Sequence, residues 1–273
     1  MYGPAEDLLG QLTSRWRRRM ILASKAGILP PSRSFILRAV SRSVRILHKA
    51  VPALAAHVPI PRSRQFRFGM FSLPVLRRSI ETSLRELRTD HLDVLLLHEC
   101  TEGDVEGQEL LEFLYGLQRE GKIIHFGLAT GIEETVVILD RFPAYGGVVQ
   151  IPSSIWDGNI GRLPARPRDL TVTHSTLSGQ FATFLAGLSR DQALARAWRS
   201  ATGVDPHDTA AVGRLFLAHA LQANPGGVVL FFSSKPDTIR ENAKLAREPA
   251  FEASQFEGLK RFIAQRSGHP GWT

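Results

Sequence analysis

The stretch Leu92-Asp93-Val94-Leu95-Leu96-Leu97-His98 constrains the fold of this chain more than any other. Its apolar residues lack the alternation of a half-exposed strand. It reads as a strand buried on both faces, the kind that belongs to a parallel sheet covered by helices, and a barrel core suits it best. Upstream, Leu76, Ile80, Leu84 and Leu87 recur at helical spacing between Leu73 and Arg88, with charges mostly on the other faces. Downstream, Leu110, Leu111, Leu114 and Leu117 repeat that pattern, and Gly121 stops the helix before a second apolar run from Lys122 to Gly127. The order is helix, strand, helix, strand. In such α/β arrangements reactive groups sit beyond the carboxyl ends of strands, so His98 occupies a functional position. The alternative is a histidine that hydrogen-bonds a neighbouring loop.

A chain of 273 residues, 43% hydrophobic, matches one α/β barrel domain spanning residues 1–273. Cys100 is the only cysteine, which excludes an internal disulfide, and no Cys/His spacing suggests a metal site. A cytoplasmic location is expected. The apolar run Val44 to Ile60 is interrupted by Arg45, His48, Lys49, Pro52 and His57, and is too short and polar to span a membrane.

The net charge of +8 is local. From Ala26 to Ile80 no acidic residue occurs, while Arg33, Arg38, Arg42, Arg45, Lys49, Arg62, Arg64, Arg67, Arg77 and Arg78 are all basic. Such a run could meet nucleic acid, an anionic surface or cofactor phosphates, or simply be a solvated face. No accompanying motif favours nucleic acid. The prolines at 30, 31, 52, 59 and 61 make about 28–70 a long basic insertion, with a helix expected from Phe35 to about Lys49.

Further elements follow the same reading. A helix is expected from Ala5 to Leu12, with Leu8, Leu9 and Leu12 on one side, then a strand from Met20 to Lys25. A helix at Glu133–Arg141 and strands at Gly147–Ile151 and Leu170–His174 come next. Helices near Arg190–Thr202 and Thr209–Ala223 and a last strand at Gly227–Phe231 complete the series. That makes six strands, near 20, 92, 123, 147, 170 and 227, where a closed (β/α)₈ barrel has eight.

Tyr2-Gly3 before a helix, Ala23-Ser24-Lys25-Ala26-Gly27, Ser83 to Asp93 running on to His98, Glu120 to Gly127, and Ile239-Arg240-Glu241-Asn242 together resemble the aldo-keto reductase family. The resemblance implies an α/β, TIM (β/α)₈-type barrel, here incomplete at its N-terminus. It also implies a nicotinamide nucleotide held across the carboxyl face without a Rossmann fingerprint, and no G-x-G-x-x-G occurs. By the same resemblance Tyr2 is the general acid for a carbonyl oxygen, Lys25 lowers the phenol's pKa, and His98 orients the carbonyl. Taken alone, Tyr2 would be an ordinary terminal residue.

The family's nicotinamide-holding glutamine falls on Gln150, and its usual Ser-Asn pair on Ala129-Thr130, of which Thr130 keeps a hydroxyl. Ser175 and the turn from Leu177 to Gly179 match the pyrophosphate loop. Ser233, Ser234, Lys235 and Arg240 are candidates for a 2′-phosphate, although Thr238 stands where the family's phosphate-clamping arginine is usual. Glu241 and Asn242 match adenine-binding positions. The implied cofactor is NADPH, with NADH possible, and the implied partner is a small carbonyl compound or alcohol.

The family's catalytic aspartate precedes its tyrosine by a few residues, and here only Met1 does. Two expectations follow: a reductase transferring hydride between NAD(P)H and an aldehyde or ketone, or a catalytically impaired barrel that binds a nucleotide or a protein. Substrate identity and oligomeric state are left open.

Overall fold

The computed structural model describes residues 5–29, 67–177, 179–248 and 250–266. Tyr2, the helix expected from Phe35 to Lys49 and the arginines from Arg33 to Arg64 lie outside them. The two ends of the basic insertion are tied together: Leu29 and Arg67 exchange backbone hydrogen bonds of 2.9 and 3.1 Å in an antiparallel bridge.

The chain forms two compact units, Met1–Phe126 and Gly127–Thr273. In the first, α1 (Ala5–Trp16) and a 3₁₀ turn (Arg17–Arg19) lead to β1 (Ala23–Ala26), followed by α2 (Leu73–Leu87) and β2 (Leu92–His98). A short α3 (Glu102–Val105) and then α4 (Gln108–Arg119) precede β3 (Ile123–Ala129), which carries the chain into the second unit.

β1 and β2 pair in parallel, from Ala23 opposite Val94 to Ala26 opposite Leu97. Their entry is held by Arg17, whose guanidinium meets Asp93 at 2.9 Å and donates to Thr89 Oγ1 at 3.0 Å, while Asp93 Oδ2 accepts the Leu22 N–H at 2.7 Å. One carboxylate thus serves both strands and sets their register. The apolar stripe of α2 is buried as its spacing predicts, at Leu76, Ile80, Leu84 and Leu87. Each such side chain contributes about 1.5–3 kcal/mol by leaving water, and a charge at Ile80 would break the packing.

α1 forms where expected and runs on to Trp16. Leu8, Leu9 and Leu12 are exposed, whereas Gly10 and Thr13 are buried. Gly10 lies against the backbone of Glu86, so the small residues, and not the leucines, let the helix approach α2.

In the second unit β3, β4 (Val148–Pro152), β5 (Leu170–His174) and β6 (Val228–Val229) pair in parallel in chain order. The intervening and following helices are α5 (Ile132–Arg141), α6 (Gly179–Arg190), α7 (Gln192–Thr202), α8 (Thr209–Ala223), α9 (Pro236–Leu245) and α10 (Ala253–Ala264). The described residues thus contain six strands alternating with helices, an α/β architecture as expected.

The core of this unit is aromatic. Phe184, Trp198, Phe216 and Phe262 pack with ring centroids 5.2–6.2 Å apart, and Trp156 stacks on Phe216 at 4.9 Å. α7 and α10 come close enough that a Cβ at Gly258 would run into the Ala201 carbonyl. Asp191 separates α6 from α7 by capping the latter, its carboxylate accepting the N–H groups of Ala193 and Leu194. The last strand is shorter than the sequence suggests. Once Leu230 N–H reaches Thr173 O at 2.7 Å the chain leaves the sheet, and Phe231 and Phe232 are exposed.

Candidate active site

In the first unit the parallel register brings Lys25 and His98 to the same, carboxyl end of adjacent strands, since Lys25 lies opposite Leu96 and His98 ends β2. Lys25 is half-buried. Burial pushes its pKa below the ordinary lysine value, and the Glu99 carboxylate acts in the opposite sense. Glu99 is exposed and sits at φ 51°, a left-handed backbone conformation uncommon outside glycine. Gly27, just past β1 at φ 107°, has the Phe71 ring and the His98 carbonyl where a Cβ would stand, so this corner admits no side chain. Cys100 is buried directly beyond.

In the second unit Gln150 occupies the middle of β4, flanked in register by Ala129 of β3 and Val172 of β5. It is 7% exposed, and its amide makes no hydrogen bond among the described residues. Thr130 is buried beyond β3, and its hydroxyl is shared with Thr135 of α5 at 2.5 Å, so one of its hydrogen-bonding directions is already committed.

At the end of β5, His174 Nδ1 lies 2.8 Å from Ser175 Oγ, and Ser175 itself is left-handed at φ 62°. Thr176 follows with a buried hydroxyl that has no hydrogen-bond partner among the described residues. Leu177 is exposed, and Gly179 begins α6. Beyond β6, Ser233 Oγ accepts the Lys235 N–H at 3.1 Å, bending the chain into α9. Ser234 and Lys235 are exposed there. Arg240 pairs with Asp237 at 2.6 Å on the first turns of the same helix, which also carries Glu241 and Asn242.

The family model for the aldo/keto reductase family matches residues 1–157, more than half of the chain. The chain belongs to the aldo/keto reductase family. Solved aldo-keto reductases share its fold. The glycerol dehydrogenase of Gluconobacter oxydans superposes with a TM-score of 0.63 at 13% identity, covering 97% of this chain and 79% of that one. The holo form of an aldo-keto reductase from Bacillus halodurans superposes at 0.60 and 18% identity, covering 94% and 77%. An aryl-alcohol dehydrogenase of Pestalotiopsis microspora is 32% identical over 107 residues, or 39% of this chain and 26% of that relative. The match thus spans about a quarter of the length of that curated relative.

The sequence reading did not single out a carboxylate beside Lys25. Glu99 is the carboxylate whose charge acts on Lys25. Its signal was its place, directly after the strand-end His98. Asp237 also escaped notice, although a carboxylate three residues before Arg240 on a helix is a ready partner. Among the described residues no group of three or more His, Cys, Asp and Glu side chains could hold a metal ion, and no helix is long and apolar enough to cross a membrane.

Proposed function

We propose that the chain, working as one barrel domain, is an oxidoreductase that interconverts an aldehyde or ketone and its alcohol with a nicotinamide nucleotide. The observation that carries this reading is the placement of Lys25 and His98 at the carboxyl ends of adjacent parallel strands in a member of this family. When bound, the reduced nicotinamide supplies a hydride to the carbonyl carbon. Tyr2 gives the proton that the oxygen then needs, which completes the alcohol and leaves the phenolate beside Lys25. The Lys25 cation makes the phenol a better acid than its ordinary pKa near 10 allows. Glu99 keeps Lys25 charged against the cost of burial, and His98 directs the carbonyl oxygen toward Tyr2.

The second unit's side chains suit the nucleotide. Gln150, with its unengaged amide, and Thr130 would hold the carboxamide. Ser175, Leu177, Gly179 and the unpartnered Thr176 hydroxyl suit the pyrophosphate. Glu241 and Asn242 would face the adenine, with Ser233, Ser234, Lys235 and Arg240 toward a 2′-phosphate. NADPH is the proposed cofactor, with NADH admitted because Asp237 already occupies Arg240. The name of the Pestalotiopsis relative suggests an aryl aldehyde or aryl alcohol as substrate, and the single cysteine supports a reducing, cytoplasmic setting.

The test is consumption of NADPH or NADH by the full chain with an aromatic aldehyde. Tyr2→Phe is expected to slow turnover about 10²–10⁴-fold and leave nucleotide affinity nearly unchanged. Unaltered turnover in that variant removes Tyr2 from the mechanism. Nucleotide binding without turnover in the parent chain would favour the binding-module reading instead.

A further inference from the structure

We propose that the second unit carries a separate ligand site, a cavity between the outer face of β5 and helices α8 and α10 that takes a small apolar carboxylate. The cavity encloses about 310 Å³, at the lower end of the range for small-molecule pockets. Its walls come from the segment after β4, from Thr173, from α8 and from α10.

It does not belong to the nucleotide-binding positions. Gln150 lies opposite Val172 in register, so both sides of that pair share a sheet face with His174. Thr173, being the alternate residue, points to the other face. The cavity therefore lies across the sheet from the residues assigned to the nicotinamide.

Four polar groups stand around it with needs that the described residues do not meet in full. The Thr173 hydroxyl and the Trp156 indole N–H are buried and have no hydrogen-bond partner. Thr173 is 3% exposed. His219 makes no hydrogen bond among the described residues, and burial, followed by the Lys260 charge, pushes its pKa below the ordinary histidine value against the opposing Glu257 carboxylate. The ring is thus neutral at pH 7 and can donate one N–H. Lys260 is about half exposed, at 47%, and marks the mouth; its ammonium meets Glu257, which is not part of the wall, at 3.0 Å.

No carboxylate lines the cavity, while a cation and several neutral donors do. An anionic guest is favoured on that count. The rest of the wall, including Ile155, Ala220 and Ile263, is apolar and suits a hydrocarbon body. The Thr173 and Trp156 polar atoms are closed to water in this conformation, so the guest reaches them through a small shift of the wall. A guest with an acceptor group then returns hydrogen bonds that both groups lost on burial.

Benzoate is the probe. Calorimetric titration of the full chain should show saturable binding at one site, unchanged by saturating NADPH and retained in His98→Ala. Lys260→Met should weaken it roughly tenfold, as loss of a charged hydrogen-bonding partner does. Thr173→Val, which keeps the side-chain shape, should weaken it about threefold or more. Circular dichroism of both variants verifies that they fold, and Ala220→Leu, which fills the cavity from α8, should abolish binding independently. No saturable binding overturns the proposal. So does binding that NADPH or His98→Ala removes, which would place benzoate at the reductase site, and so does equal affinity across the Lys260, Thr173 and Ala220 variants.

Discussion

The carboxyl ends of the strands are furnished differently in the two units. Beyond β1 and β2 stand ionisable groups, Lys25, His98 and Glu99, and one of them is desolvated enough to shift its titration. On and just beyond β4 and β5 the side chains are mostly neutral hydrogen bonders: Gln150, Ser175 and Thr176, together with His174 against Ser175. Burying charge is costly and is tolerated where charge must change hands. Neutral donors and acceptors left unpaired cost less and suit a ligand that arrives with its own polar groups. Under the proposed function, this contrast assigns the rate of the chemical step to the first unit and nucleotide affinity to the second.

That division breaks most visibly in a pair of substitutions. Lys25→Met should lower kcat by about 10²–10⁴-fold, the usual weight of acid-base assistance, with nucleotide Kd nearly constant. Gln150→Ala should raise nucleotide Kd by roughly fivefold to tenfold, the cost of lost hydrogen bonds, with a smaller change in kcat. Steady-state kinetics with fluorescence-detected nucleotide binding separates the two. If Lys25→Met weakens the nucleotide as much as it slows turnover, the contrast fails.

Glu99→Gln sharpens the same comparison within the first unit. Removing the carboxylate takes away the one influence that raises the Lys25 pKa, so the pKa falls further. The alkaline limb of the pH–rate profile should move to lower pH, with turnover at neutral pH reduced by about threefold to tenfold. A profile that does not move removes Glu99 from the site.

Two further outcomes concern stability. Gly258→Ala places a Cβ against the Ala201 carbonyl, and overpacking of this kind costs about 1–3 kcal/mol. The loss should appear in denaturant unfolding of the second unit. The smallest effect belongs to Glu120, which Arg77 and Lys122 hold at a pKa of about 2. A depressed folded value means that the pairing contributes above the ordinary carboxylate range and is lost as pH falls toward that value. Glu120→Gln should therefore flatten the acid side of the stability profile slightly, the group being exposed.

The buried strands were legible almost to the residue. Leu92–His98 stands where an apolar run bounded by polar residues put it, and Leu170–His174 where the strand was expected. α6 was not seen, because Gly179, Thr183 and Gly187 weaken its helical signal. It forms because Phe184 and Leu188, one turn apart, fill the aromatic core. α10 was also overlooked, although Phe256, Leu259, Phe262 and Ile263 carry a helical period.

At the candidate site, the strand ends placed Lys25 and His98. What sequence spacing could not show is the shared hydroxyl pair of Thr130 and Thr135, or the pairing of Asp237 with Arg240, since both depend on local side-chain orientation. The approach of Glu99 to Lys25 was equally hidden. It depends on a left-handed residue that no glycine announces.

The aromatic core of the second unit has an optical consequence. Trp156 and Trp198 both lie against Phe216, whereas Trp16 in the first unit is on the surface with the Arg15 and Arg19 guanidinium groups over its ring. Indoles sealed in a core emit at shorter wavelength than solvated ones and shift red on exposure. Trp16, 38% exposed when folded, has less to gain than the buried pair. Among the described tryptophans, emission is therefore weighted toward the second unit.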